Sequence, residues 1–413
     1  MIRKPSKLEL LPSEVQTKIF KDVDDRDCLH LAVVCKEVSR NILPILYRSS
    51  VLLVPPTEEP TPTGWGTVCW SKSQQNRYCK TILSRPELGG YAKSVQMRIS
   101  QNSLFGQPVN VAPWISQVVK ALGSLSNIGF LEVHQDMNAL LPRPIFENLP
   151  PSLVTVNLEH SALSPQDTLA LFKSLPLLKN LYVTVLGGGG TNKKSYSPVH
   201  HSNLECLSMN FPQISPSLFQ AITYDTPRLT VLELDFDGLS TIKGSPSLGR
   251  LKELFIVGKL CPVMPNAQSV ARDLITIFSE TPNLETFAIH SATFAGINQD
   301  ITILIERLDI FRFLPKTVSN LELIGFHSKP AYLLSTVQRL APQLKRLKLS
   351  TVYPMPDNDE ARRWKRGVIP DKVTEGNIKA ICQANRVEFI YKDRDAEQQA
   401  IEGQTGEGDC RIA

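Results

Sequence analysis

One pattern constrains this chain more than any other: an apolar residue, two others, an apolar residue, one other, an apolar residue. It occurs at Ile128, Leu131 and Val133, at Leu153, Val156 and Leu158, at Leu178, Leu181 and Val183, and at Leu204, Leu207 and Met209. It returns at Leu229, Leu232 and Leu234, at Leu251, Leu254 and Ile256, and at Leu284, Phe287 and Ile289. The last clear copies are Val318, Leu321 and Leu323, then Leu344, Leu347 and Leu349. Looser copies lie at Val95, Met97 and Ile99 and around Val387 and Phe389. The first copies start at 128, 153, 178, 204 and 229; later steps of 22, 33, 34 and 26 residues loosen the register without losing it. The last two apolar positions of each copy alternate, as along a strand. Between copies run helix-period segments such as PQDTLALFKSLP, SPSLFQAITYDTP, ARDLITIFSETP and PAYLLSTVQRLAP, with proline near their starts or just past their ends. Each copy therefore predicts one short strand and one helix. A single such unit cannot bury its apolar face, whereas stacked units bury it against one another.

The 413 residues are too many for one small core, so an elongated array or two to three domains is expected. Lys+Arg 45 against Asp+Glu 40 gives a net charge of +5, too mild to argue for nucleic acid. The cysteines, at 28, 35, 69, 79, 206, 261, 382 and 410, form no Cys-x-x-Cys arrangement, and no metal or cofactor is expected. The opening MIRKPSKLEL lacks a secretory apolar run, and no segment approaches the ~20 apolar residues that span a bilayer. The expectation is a reduced protein of the cytoplasm and/or nucleus.

The repeat is similar to the leucine-rich repeat, whose strand reads Leu-x-x-Leu-x-Leu, over residues 91–392. The resemblance implies an α/β solenoid of short parallel strands and helices. The sequence departs from that family at the Asn or Cys three residues past the third apolar position, where Asp136, Ser161, Pro212, Asp237 and Ala292 stand. A regular buried ladder of that kind is therefore not expected.

Ahead of the repeats, LPSEVQTKIF read as a helix places Leu11, Val15, Ile19 and Val23 on one stripe, widened by Phe20. Asp27 is a good N-cap for the apolar CLHLAVVC, and a third helix would carry Val38, Ile42, Ile45 and Leu46. Three short helices make too small a core alone. Residues 1–54 resemble an F-box through Leu11–Pro12, Glu14, Ile19–Phe20, Leu29, Leu31, Val34–Cys35–Lys36 and Leu46–Tyr47–Arg48. The resemblance implies docking on a Skp1-like adaptor, and through it on a cullin ligase core. It carries adaptor contact onto Leu11, Pro12, Ile19, Phe20, Leu29, Leu31 and Val34. The plainer reading, that these helices only cap the array, stays open.

Residues 55–90 read as a linker or loop and a connecting helix, with Pro, Thr and Gly dominating PPTEEPTPTGWGTVCWSKSQQ and Trp65 and Trp70 inside it. Residues 393–413 read as a disordered polar tail.

On each repeat strand the residues between apolar positions point away from the core. They include Glu132, Glu159, Tyr182, Glu233, Asp235, Glu253, Phe255 and Glu322, with Arg346 and Lys348 as the basic exceptions. Tyr182, Glu233, Asp235, Glu253 and Phe255 are the candidate substrate-binding residues, for a partner with a basic surface and an apolar anchor. The alternative, that these charges only keep strand ends soluble, stays open.

Motifs that imitate chemistry fail on inspection. GGGGTNKKS, Gly187–Ser195, has Asn192 where a phosphate loop needs Gly before Lys. His200–His201 lack partners at ligand spacing. ARRWKRG, Ala361–Gly367, reads as a solvated loop, with nuclear import or contact with an acidic partner as the alternatives. Cys410 begins a formal prenylation box, but Arg411 is not aliphatic and the preceding acids repel anionic lipid, so membrane attachment is not expected. No catalytic constellation is present. The expected function is a non-catalytic substrate-recognition subunit of an Skp1–cullin–F-box ubiquitin ligase; the alternative is an interaction scaffold without that role.

Overall fold

The computed structural model describes residues 11–21, 23, 36–54, 61–62, 68–69, 72–99, 112–135, 140–185, 196–210, 216–236, 238–258, 267–291, 305–324, 329–351 and 372–393. Trp65, Trp70, Gly187–Ser195, Ala361–Gly367, the 394–413 tail with Cys410, and Leu29, Leu31 and Val34 lie outside them. The chain forms two units, Met1–Leu186 and Gly187–Ala413.

Among the described residues the first unit opens with helices α1 (Ser13–Lys21) and α2 (Lys36–Leu46), the latter followed at once by strand β1 (Ser49–Val54). Helices α3 (Lys72–Ser84) and α4 (Pro86–Gly89) precede β2 (Ser94–Ile99). Then follow α5 (Ala112–Gly123), β3 (Phe130–Gln135), α6 (Arg143–Glu147), β4 (Thr155–Leu163), α7 (Pro165–Ser174) and β5 (Asn180–Val185). These five strands are parallel and neighbours in sequence are neighbours in the sheet, while Thr61–Pro62 pairs antiparallel with Val68–Cys69 in a separate short ribbon.

One feature crosses an expected boundary. β1 joins the repeat sheet from within the stretch read as F-box, pairing Ser49 with Ser94 and Val54 with Ile99. Within 55–90 the helix is Lys72–Ser84, which begins inside the Pro/Thr-rich stretch and buries Gln75, Tyr78, Cys79 and Ile82. At the end of α4 the approach is too close for any side chain but hydrogen. A Cβ on Gly89 would lie 2.3 Å from the Ser124 carbonyl oxygen.

The second unit repeats the scheme: β6 (Cys206–Asn210), α8 (Pro216–Thr223), β7 (Val231–Leu234), α9 (Leu239–Ile242), β8 (Glu253–Gly258), α10 (Ala267–Glu280) and β9 (Thr286–Ser291). It continues with β10 (Asn320–Ile324), α11 (Pro330–Leu340), β11 (Arg346–Thr351), α12 (Lys372–Ala384) and β12 (Glu388–Asp393), again parallel throughout. The 22-residue step accommodates only the four-residue α9 and one 3-10 turn. The chain is thus α/β, built from repeated strand-and-helix turns. Among the described residues no helix is long and apolar enough to cross a membrane.

The repeat has a backbone signature. Within each unit the carbonyl just before a strand accepts both N–H groups that open the next strand, except at β12, where the Val387 N–H goes to Cys382 O instead. Lys93 O accepts from Gly129 and Phe130 (2.9 and 3.1 Å), and Gly129 O from Val154 and Thr155 (both 2.9 Å). In the second unit Glu285 O accepts from Ser319 and Asn320 (2.9 and 3.0 Å), and Ser319 O from Lys345 and Arg346 (2.7 and 3.0 Å). This sharing fixes the register turn by turn.

Side chains three residues before a strand add a second latch to the preceding turn. Asn127 donates to Gly90 O (2.9 Å), Ser152 to Ile128 O (2.8 Å), Asn283 to Gly249 O (2.7 Å) and Thr317 to Pro282 O (3.0 Å). Of the five positions that depart from the leucine-rich repeat only Ser161 is described, and its hydroxyl donates to Val133 O at 3.2 Å.

Candidate functional site

The N-terminal helix pair is built on a small apolar contact. Phe20 of α1 and Val38 and Ile42 of α2 are fully buried together, with Val23, Ile45 and Leu46 packed around them. Gln16, one turn before Phe20, is also fully buried. Its Nε2 donates to Leu11 O and its Oε1 accepts from Asn41 Nδ2, both at 2.9 Å. The helix therefore turns Gln16 and Phe20 inward.

Val15 and Ile19 stand one residue round the helix, and they are 40% and 39% exposed. Pro12 is exposed and Leu11 half-buried. Of the residues assigned to adaptor contact, Ile19 and Pro12 thus face outward together with Val15, which that assignment omitted. Phe20 faces the other way and holds α1 on α2, so a docking partner cannot reach it. The stripe read from spacing as Leu11, Val15, Ile19 and Val23 is split, because Val23 packs on the inner contact. At the far end of α2, Tyr47 stacks on Tyr78 of α3 with ring centroids 6.0 Å apart. Burial pushes the Tyr47 hydroxyl above its ordinary range.

The half-exposed strand faces are the second candidate surface. In the first unit the central row is Gln96, Glu132, Asn157 and Tyr182. Glu132 takes Gln96 Nε2 at 3.0 Å on one oxygen and Asn157 Nδ2 at 3.2 Å on the other, with His134 Nε2 3.1 Å away. Tyr182 stands next in this row, half-buried, beside Asn157.

In the second unit the row is Ser208, Glu233, Phe255, Ala288, Glu322 and Lys348. Ser208 donates to Glu233 Oε1 (2.8 Å), and Lys348 Nζ lies 3.0 Å from Glu322 Oε2. Phe255 meets His290 edge to face at 5.8 Å between ring centroids. Glu253 lies two residues before Phe255 on β8, so the alternating pleat puts both on one face, diagonal to Glu233. The structure thus brings together Glu233, Glu253 and Phe255.

It does not add Asp235 to them; Tyr182 lies in the first unit. Asp235 lies past the end of β7, is buried, and accepts from the Gly238 N–H at 2.8 Å, so its carboxylate is spent on a turn. Alternation along the strand predicted an outward side chain, but β7 stops at Leu234.

The adjacent histidines also resolve. His200 Nδ1 lies 2.8 Å from Asp225 Oδ2 at the surface, and His201 is buried. Among the described residues no group of three or more His, Cys, Asp and Glu could hold a metal ion. Gln16 and Asn41 are what the sequence reading missed; a glutamine on an apolar helix stripe was the available signal. No family model matches the chain, and no curated protein compared with it matches either.

Proposed function

We propose that this chain is the substrate-recognition subunit of an Skp1–cullin–F-box ubiquitin ligase. In this reading α1 docks on a Skp1-like adaptor and a strand face holds a protein substrate. It does no bond chemistry. Tethering the substrate near a ubiquitin-loaded enzyme raises its effective concentration there.

One observation carries the reading. Among the described residues the N-terminal helix pair packs a small apolar contact yet leaves Val15 and Ile19, large apolar residues on one stripe, two-fifths exposed. A partner helix laid along such a stripe would bury them. The resemblance of the segment to an F-box says which partner. On the substrate side, Glu233, Glu253 and Phe255 suit a basic segment with an apolar anchor.

The test is co-expression with the adaptor. The chain should co-purify with it stoichiometrically, and Ile19→Asp should abolish capture while leaving the fold intact, since Ile19 is exposed. Capture that survives Ile19→Asp sinks the docking assignment. Capture without substrate ubiquitination in the reconstituted ligase favours the scaffold instead. Glu233→Lys with Glu253→Lys should weaken capture of a basic substrate, and unchanged capture removes that surface.

A further inference from the structure

We infer that buried Gln16 and half-buried Asn41 together form a roll lock. It fixes which stripe of α1 faces its own protein, and so keeps Val15 and Ile19 available outside. Its functional half rests on the adaptor reading; its structural half does not.

The apolar contact that holds α1 is short. Successive residues of a helix are about 100° apart, so Gln16 and Phe20 form one stripe and Val15 and Ile19 the next. Apolar contact is non-directional, and Phe20 alone cannot choose between stripes that both contain large apolar residues. A roll of about one residue would bury Val15 and Ile19 against Val38 and Ile42 and hide the docking stripe inside the protein.

Gln16 forbids that roll. It is fully buried, and both ends of its amide are used. Nε2 holds the Leu11 carbonyl, which precedes the helix and has no turn of its own there, since the Val15 and Gln16 N–H groups both go to Pro12 O at 3.0 Å. Oε1 holds Asn41 Nδ2 on the facing helix, one residue before the buried Ile42. Rolling α1 would carry this amide toward water, break both bonds and strip Asn41 of its partner. A part-buried polar pair adds little net stability, because each group trades a bond to water for a bond to protein. Its value lies in direction, as with a buried polar residue that fixes helix register. Gln16 and Asn41 are therefore positioning residues that act through Ile19 and Val15.

The experiment uses the full chain. A probe thiol is placed at Ile19→Cys, and its labelling rate by a small alkylating reagent is read by peptide mass mapping. The same rate is measured after adding Gln16→Leu, and after adding Gln16→Leu with Asn41→Leu so that no amide is stranded. A helix that spends about nine-tenths of its time rolled inward labels about tenfold more slowly, and that slowing is the expected result. The thermal midpoint of the double variant should stay level or rise. In chains carrying the natural Ile19, adaptor affinity should weaken about tenfold. An unchanged labelling rate overturns the lock, whatever happens to stability. So does a fall in midpoint and affinity with labelling unmoved, which would make the pair ordinary structural bonds. Slowed labelling in a chain that captures no adaptor leaves the lock standing and refutes the proposed function instead.

Discussion

The strand faces of the two units handle buried charge in opposite ways. In the first, Glu132 is surrounded by amides from both neighbouring strands, so the carboxylate is satisfied from within. In the second, Glu322 is neutralised by Lys348, while Glu233 has the Ser208 hydroxyl and, among the described residues, neither Glu233 nor Glu253 has a cationic partner. Cross-turn ion pairs are also concentrated there: Lys243–Asp273, Lys252–Glu285, Arg339–Asp309 and Arg346–Glu388. In the first unit the described Arg–Glu pairs, Arg85–Glu87 and Arg143–Glu147, are local and exposed. The same repeat can therefore make an internally closed face or an electrostatically open one, depending on which side chains fill the central row. The open face is the one suited to a partner's charge.

The cores differ too, and there the largest effect is expected. Phe287 is fully buried in the second unit, perpendicular to Phe278 with centroids 4.9 Å apart and 6.5 Å from Phe311. The first unit fills the same layer with aliphatics such as Leu131, Val156 and Leu181. Phe287→Ala should cost about 3–5 kcal/mol in denaturant unfolding, from lost burial and the cavity left behind. Val156→Ala should cost about 2 kcal/mol, from the two methyl groups removed. Equal losses would mean that the aromatic cluster adds nothing beyond its size.

The strand faces come next. Glu132→Gln replaces an acceptor-only group with one that turns an N–H₂ toward a neighbouring amide donor. The expected cost is about 1–2 kcal/mol, because one half-buried donor is left unpaired. Glu233→Gln keeps its acceptor for Ser208 and should change stability by less than about 0.5 kcal/mol. If the two substitutions cost the same, the contrast between closed and open faces fails.

Much of this was legible in the sequence because stacking imposes a period. The second and third apolar positions of all nine clear copies lie within strands, from Leu131 and Val133 in β3 to Leu347 and Leu349 in β11. Three of the quoted helix segments contain α7, α8 and α11, and the fourth, starting at Ala271, covers all but the first turn of α10. β1 was not legible: it follows α2 directly, without the apolar residue three places ahead that marked the others. On α1 spacing grouped Leu11, Val15, Ile19, Phe20 and Val23 as one apolar face. It could not say which part turns inward, because the deciding residue is a glutamine whose partner is 25 residues away. Asp235 misled for a related reason: alternation holds only while the strand lasts.

The ion pairs of the second unit predict a difference in acid response. Asp309 meets Arg339 through both oxygens, at 2.5 and 2.8 Å. The Arg339 hydrogen bonds, foremost, hold its carboxyl below the ordinary aspartate value. Burial pushes Tyr332 up to about 12, so its hydroxyl stays protonated opposite Asp309 Oδ1, 3.4 Å away. A carboxyl depressed by folding stabilises the native state above its unfolded value and loses that contribution as pH falls through the folded value. Asp309→Asn isolates the charge, since Asn also tolerates the left-handed backbone at this position, φ 46°. With both groups about a third or more exposed, screening limits the loss to about 1 kcal/mol or less. The gap between wild type and variant should be flat from pH 7 to about 5 and close below about 4. A gap that persists at low pH would assign the effect to the hydrogen bonds rather than to the charge.

The smallest effect concerns the latch that the units share. Asn127, Ser152, Asn283 and Thr317 all stand three residues before a strand and donate to a carbonyl of the preceding turn. Ahead of β5 that position is Leu177, 51% exposed and without a donor. Asn127, Asn283 and Thr317 reach the carbonyl four residues before the preceding strand, which for Leu177 is Pro151. Leu177→Asn should therefore complete the latch and withdraw an exposed apolar side chain. One half-exposed hydrogen bond adds about 0.5 kcal/mol. In a unit of this size that raises the thermal midpoint by about 1–2 °C. Leu177→Ala, which removes the exposed side chain without supplying a donor, separates the two contributions. If Ala raises the midpoint as much as Asn does, the gain comes from the lost apolar surface, and the latch is not general. If Asn lowers it, Leu177 is held by a contact that outweighs a hydrogen bond, and the first unit is less closed than its strand face implies.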